Sequence, residues 1–461
     1  MSISRRNFLK GAAAVTLGFS GLSKLMAYSA ITQAPLRQAL GYGELIPDPK
    51  GVFDLPKGFT YKILSRSGDK MSDGFIVPGL PDGMAAFPGE NGRTILIRNH
   101  EINPTSDNSL GAFGADNELL PKLDKKWFYD YARGKKPALG GTTTLVINNE
   151  TGEKEKEFLS LAGTLRNCAG GPTPWNTWVT CEETVILKDD IYEHDHGYVF
   201  EVPATMNPSL AEPYPIKEMG RFNHEAIAVD PYSSVVYLTE DIGDGLLYRF
   251  IPNEKQNLRS GGKLQALAVK GRPGLDTRNW EGAVVTQGEI YETEWIDLDD
   301  VEAPKDDLRY RGYAAGAARF ARGEGMWYGN DAVFFACTNG GAKKVGQIFK
   351  YIPSIYEGTA KEKEKPGRLE LFIESPSADL IENADNITVA PNGDLVICED
   401  GPGVQYLDIV TPAGEIFKFG KNALNEKELC GCCFSPDGKW LFVNIQNPGI
   451  TLAITGPWKD N

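Results

Sequence analysis

Four apolar stretches of this chain end in carboxylates: Glu101, Glu182-Glu183, Glu240-Asp241 and Glu399-Asp400. Three further clusters set an acid beside a cation, an imidazole or an amide: Arg221-Phe-Asn-His224-Glu225, Arg322-Gly-Glu324 and Asp385-Asn386. Carboxylates brought together repel, and burying them unpaired is costly, so such a set calls for cations. Oxygen-rich clusters select hard ions such as Ca²⁺. An Arg two residues before a Glu suits a site that holds both a metal and an anion, the carboxylate on the ion and the guanidinium forked onto oxyanion oxygens. A single acidic pair reads more simply as a solvated strand end, and a single Arg-Gly-Glu as an ordinary ion pair. Four carboxylate ends in phase favour a metal site.

Other chemistries lack their residues. There is no Gly-x₄-Gly-Lys-Ser/Thr loop, no Gly-x-Gly-x-x-Gly after a strand, no Gly-x-Ser-x-Gly elbow and no His-Glu-x-x-His. With only 4 His in 461 residues, a centre built mainly on imidazole is all but excluded. Of the seven Cys, Cys430-Gly-Cys432-Cys433 is crowded and has no second pair at zinc-finger spacing, which speaks against structural zinc. The odd count leaves at least one thiol unpaired or liganded.

The elements that must position these acids repeat. A turn rich in Pro, Gly, Asn or Asp leads into an apolar strand with a polar end at residues 87–101, 172–183, 230–241, 328–339, 390–400 and 435–446. With Leu96, Val179, Tyr237, Phe334, Leu395 and Leu441 as equivalent positions, the gaps are 83, 58, 97, 61 and 46 residues. The shortest gap is about one four-stranded blade, and the longer ones leave room for insertions. Further strand-like runs lie between, at 142–147, 197–202, 246–251, 346–352 and 415–419. The pattern predicts an all-β fold, a six-bladed β-propeller with inserted loops and short helices, one of them over 122–133. Stacked β-sandwiches would not explain the shared polar ends. As the innermost strands of their blades, the cassette strands are expected to bring Glu101, Glu182, Glu240 and Glu399 to one channel mouth, and the last blade should combine N-terminal and C-terminal strands.

Gly at 51 and Pro at 29 of 461 residues agree with many tight turns, and 10% aromatics with strands. The net charge is −14; without the first 30 residues, 44 basic residues face 62 acidic ones, a net of −18 that repels nucleic acid. An anionic substrate then needs locally placed Arg or metal. Ser4-Arg5-Arg6-Asn7-Phe8-Leu9-Lys10, a weakly apolar run and small residues near Ala27 and Ala30 resemble a twin-arginine translocation signal. The expected organisation is a signal over 1–30 and one propeller domain over 31–461, exported folded to the periplasm or secreted, with no stable membrane anchor.

Leu80-Pro-Asp-Gly-Met84, Asn99-His-Glu101, the run from Cys168 through Pro174-Trp175 to Glu183, Gly220-Arg-Phe-Asn-His-Glu225, Arg322-Gly-Glu324, Ala384-Asp-Asn386 and Cys433-Phe-Ser-Pro-Asp-Gly438 resemble, in order along the chain, the PhoX-type alkaline phosphatases. The resemblance implies a phosphomonoesterase with a mixed ferric iron and calcium cluster at the channel mouth. It places Cys168 on iron with Glu225 and Glu324 as the family's Glu ligands, expected on the iron, Asp385 and Asn386 on calcium, and Arg322 on the phosphate. The strand-end carboxylates Glu101, Glu182, Glu183, Glu240 and Glu399 are expected, from their repeated position, to share in holding calcium. Arg221 and His224 are further catalytic candidates, and the metals rather than a Ser are expected to provide the nucleophile. Asn176 stands where the family has Gly, Ala384 where it has Pro, and the chain is shorter than well-known members, which bears on substrate range. A monomer acting on small phosphate esters is expected, its only other partner the translocation machinery. Two competing readings are a calcium-dependent lactonase or esterase, which needs no Cys or Arg, and a non-enzymatic calcium-stabilised binding propeller.

Overall fold

A computed structural model describes residues 37–38, 41–134 and 136–458, so the expected signal over 1–30 and its cleavage site lie outside the described residues. The chain is a β-propeller. Among the described residues the strands form five hydrogen-bonded sheets, one of which, with ten strands, carries two blades joined edge to edge through Ile290–Asp297. Six inner strands, Pro81–Pro88, Asn167–Pro172, His224–Val229, Gly323–Gly329, Ala384–Val389 and Leu429–Phe434, pack each on the next around a closed ring. They begin blades 1 to 6.

The cassette strands are not innermost. Each is the second strand of its blade: Arg93–His100, Thr177–Glu182, Val236–Glu240, Ala332–Cys337, Leu395–Glu399 and Leu441–Ile445. They read clearly as apolar because both faces lie between neighbouring blades, with Leu96, Val179, Tyr237, Phe334, Leu395 and Leu441 all buried. The inner strands hide because they are short of large apolar side chains. Gly83 and Gly325 let them close: a Cβ on either would come within 2.6 Å of a Cα of the adjacent inner strand, Ala169 and Asn386 respectively.

The ring closes as expected, with Thr60–Arg66 pairing antiparallel to Ile450–Thr455 as the outer strand of blade 6. The fully buried Arg98 ties blades 1 and 6 together, donating to Glu157 Oε1 (2.7 Å) and Thr451 Oγ1 (2.6 Å). The helix expected over 122–133 does not form. Short 3₁₀ turns take its place, because Tyr129 and Asp130 donate their N–H groups to the sheet carbonyls of Ala162 and Gly163 while Ala132 and Arg133 take left-handed φ. No helix among the described residues is long and apolar enough to cross a membrane.

That inserted segment is pinned to blade 2 by a buried charge cluster. His196 Nδ1 lies 2.7 Å from Glu182 Oε1, and its Nε2 lies 3.5 Å from Asp130 Oδ2. Burial alone would push the imidazole down, but the Glu182 and Asp130 carboxylates outweigh it and raise it to about 9. A group whose folded pKa is raised stabilises fully below its unfolded value, near 6.5, and stops doing so as the pH climbs through the folded one. The melting temperature should therefore fall between about pH 7 and 10 by an amount worth on the order of 2–3 kcal/mol. In His196→Gln this dependence should be absent, and equal slopes in the two proteins would remove His196 as its source.

Candidate metal centre

Every inner strand begins in the same way. Its first residue faces the last residue of the second strand, as in Pro81 with His100, Gly323 with Cys337 and Ala384 with Glu399. At or just after this point three residues advance on the inner strand against two on its partner, in all six blades. Such a bulge bends the strand and re-aims a side chain. The second residues of the six strands are Asp82, Cys168, Glu225, Glu324, Asp385 and Cys430, a ring of four carboxylates and two thiols. Two more rings surround it, locked by one repeated hydrogen bond. The N–H of Glu101, Glu183, Asp241, Thr338, Asp400 and Gln446 donates to the carbonyl of Leu80, Arg166, Asn223, Arg322, Asn383 and Glu428, respectively.

Potential ligand atoms lie within 4.8 Å of one another in four overlapping triplets: Asp82, Glu428 and Cys430; Asp82, Glu101 and Cys168; Cys168, Glu183 and Glu225; Glu225, Glu324 and Asp385. Burial, then repulsion from neighbouring acids, pushes the carboxyls of Asp82, Glu225, Asp385 and Glu428 well above the usual range. Glu183 and Glu324 are raised in the same way although an Arg opposes it. Among the described residues neither oxygen of Glu225 has a hydrogen-bond partner, nor does Asp82 Oδ1. Buried polar atoms are normally satisfied. A site that crowds acids together and leaves their oxygens bare is arranged for cations, and it pairs soft sulfur with hard oxygen.

Two arginines touch this cluster. Arg322 forks its Nε and Nη2 onto both oxygens of Asp241 (2.8 and 2.9 Å), and Nη2 also reaches Glu324 Oε1 at 2.8 Å. Arg166 donates to Glu101 and Glu183.

Of the residues expected from sequence, Cys168, Glu225, Glu324, Asp385, Glu101, Glu183 and Arg322 come together here. Glu182, Glu240 and Glu399 do not. They sit one residue before the mouth, where strand alternation turns them between blades. Glu182 accepts from Leu165 and Gly197 N–H and contacts His196; Glu240 accepts from Tyr248 Oη at 2.7 Å; Glu399 meets Lys418 Nζ at 2.8 Å and the N–H groups of Glu382 and Tyr406. Arg221 does not join the ring: 1% exposed, it spends its guanidinium on the carbonyls of His196, Ala303 and Val185. His224 is equally removed, bonded to the Gly220 carbonyl, stacked on Phe222, and pushed down to about 3 by burial. Asn386 Oδ1 accepts a hydrogen bond from the N–H of Gly431 at 2.6 Å. The residue-level reading missed Asp82, Glu428, Cys430 and Arg166. A signal was present: five of the six ring residues are followed by Gly or Ala, as in Asp82-Gly83, Cys168-Ala169, Glu324-Gly325 and Cys430-Gly431, and only Asp385 is followed by Asn.

The family model for alkaline phosphatase PhoX matches residues 40–449, and that for the twin-arginine translocation pathway signal matches residues 2–19. Among solved structures, PhoX of Pseudomonas fluorescens in complex with vanadate, a transition state analogue, superposes with a TM-score of 0.63 at 19% identity over 92% of this chain and 98% of that one. A gluconolactonase of Xanthomonas campestris reaches a TM-score of 0.41 at 10% identity over 92% of this chain and 99% of that one. No curated protein sequence matches the chain significantly.

Proposed function

The chain belongs to the alkaline phosphatase PhoX family and is a phosphomonoesterase exported by the twin-arginine route to the periplasm or the medium, and we propose that its chemistry takes place on the channel-mouth ring loaded with ferric iron and calcium. The observation that carries this reading is the bare, buried donor set: Glu225 with neither oxygen bonded, between Cys168 and Glu183 on one side and Glu324 and Asp385 on the other. Cys168, Glu225 and Glu324 would hold iron, since a thiolate favours the softer transition metal. Asp385, Glu101 and Glu183 would hold calcium. Bound there, the metals supply Lewis acidity toward the phosphoryl oxygens and a nucleophile that the side chains do not offer. We assign the whole site to one propeller domain within 31–461, with the signal over 1–30.

Arg322 binds the phosphoryl group. Its Nε and Nη2 edge is fixed by Asp241 and Glu324, and its Nη1 has no acceptor among the described residues. A guanidinium already held in place loses little freedom when an oxyanion arrives, and in an acidic mouth it supplies the positive charge that such an anion needs. Burial pushes the Glu225 carboxyl and the Cys168 thiol well above their usual ranges, and both must lose a proton to bind metal, so loading should release protons and tighten as the pH rises.

The test is hydrolysis of an aryl phosphate by the metal-loaded protein, with vanadate as inhibitor. A ferric thiolate absorbs visible light, so the wild type should be coloured and Cys168→Ser colourless and poor in iron. A colourless, iron-free enzyme of full activity contradicts the iron assignment.

A further inference from the structure

Resting on the phosphatase reading above, we propose that Arg166 is a second phosphoryl-binding residue and forms with Arg322 a two-armed clamp for the phosphate dianion of a monoester. The fold makes the two arginines equivalent. Each stands two residues before its ring residue, Cys168 or Glu324, and each gives its carbonyl to the N–H just past the second strand, that of Glu183 (2.9 Å) or Thr338 (3.1 Å). Each takes the left-handed conformation, with φ of 45° and 49°, which is unfavourable for a residue with a side chain. The other four equivalent positions carry Leu80, Asn223, Asn383 and Glu428, so these two are the cations of that ring.

They also use their guanidiniums alike. Arg166 sets Nε and Nη2 on Glu101 (3.2 and 2.8 Å) and Nη2 on Glu183 (2.7 Å), which leaves Nη1 with no acceptor among the described residues, as in Arg322. The side chains are 30% and 35% exposed. A purely structural arginine in this fold looks different: Arg221 spends Nε, Nη1 and Nη2 on carbonyls and Arg249 spends all three on acceptors, and both are buried. The two arms are connected through Glu183, Glu225 and Glu324, whose ligand atoms lie within 4.8 Å of the next. They therefore flank the part of the ring where Cys168 and Glu225 sit. A tetrahedral dianion offers more oxygens than one fork can take, and a second fixed fork meets that demand without another ion.

The experiment measures inhibition by inorganic phosphate, and KM and kcat for an aryl phosphate, in metal-loaded wild type, Arg166→Ala, Arg166→Lys and Arg322→Ala, with iron and calcium counted in each. Arg166→Ala should raise both the phosphate inhibition constant and KM about 10- to 100-fold, as for a lost charge-assisted hydrogen bond, at unchanged metal content. Arg166→Lys should recover part of the loss, because a point charge cannot fork. An unchanged inhibition constant in a fully loaded Arg166→Ala overturns the clamp. If that variant does not load or fold, a wild-type constant in Arg166→Lys overturns it, since the forked contact would then be unnecessary. A fully loaded wild type that neither binds phosphate nor hydrolyses the ester overturns the parent reading, and the clamp falls with it.

Discussion

Glu225→Gln is expected to abolish phosphatase activity while leaving the metal-free protein as stable as the wild type. Glu225 belongs to two of the four ligand triplets and is fully buried with both oxygens bare. Burial and the neighbouring Glu324 and Glu183 raise its carboxyl well above the ordinary range, which favours the neutral acid in the metal-free protein, and a neutral amide of the same size is a small change. With metal, the carboxylate is a shared ligand. Groups that only support a ligand cost about 10–100-fold in affinity when mutated, and a direct ligand should cost more. Metal that binds only the folded state stabilises it by about 2.7 kcal/mol at a hundred times its dissociation constant, so the wild type should show a large melting shift on loading. The variant should show little of it. A Glu225→Gln protein with full iron and calcium and an undiminished melting shift would remove Glu225 from the centre.

Arg322→Ala should lower kcat/KM by about 2–4 kcal/mol of transition-state stabilisation, roughly 30- to 1000-fold, by comparison with the loss of one fixed oxyanion donor. The effect should fall on kcat as well as KM, because charge on the phosphoryl oxygens is held by a group that needs no reorganisation. Arg322→Lys should recover only part, since it cannot fork onto both Asp241 and the substrate. Asp241 and Glu324 lose their partner in Arg322→Ala, so that variant should melt lower without metal; the loss is read separately from activity by loading with metal first. A loaded Arg322→Ala enzyme within about threefold of wild-type kcat/KM would place phosphate binding elsewhere.

What the sequence revealed follows from which strands are buried on both faces. The second strands carry long apolar runs, and their spacing gave the repeat and the closure through the C-terminal blade. The inner strands carry the ring residues on bulges among Gly, Ala and Asn, so their sequences read as turns. Asp82 sits inside what looks like a Pro-Asp-Gly turn, and Cys430 inside a crowded cysteine run. The carboxylate pairs were in phase, but the pleat sends the two members of each pair to opposite sides. Glu183, Asp241 and Asp400 reach the mouth level, while Glu182, Glu240 and Glu399 are consumed between blades. Side-chain direction at a bulged strand end depends on register, which a single sequence does not display. Arg221 and His224 failed for a related reason. They lie just before Glu225 in the chain, yet the turn into the inner strand buries both against carbonyls behind the ring.

The most direct test of the central claim is the anomalous difference density at the iron edge in crystals of the purified, metal-loaded protein. Iron peaks within bonding distance of Cys168 Sγ and of carboxylate oxygens of Glu225 and Glu324, inside the ring of inner-strand second residues, are the predicted result. No iron signal in that ring from an active enzyme, or iron bound only outside it, would contradict the account.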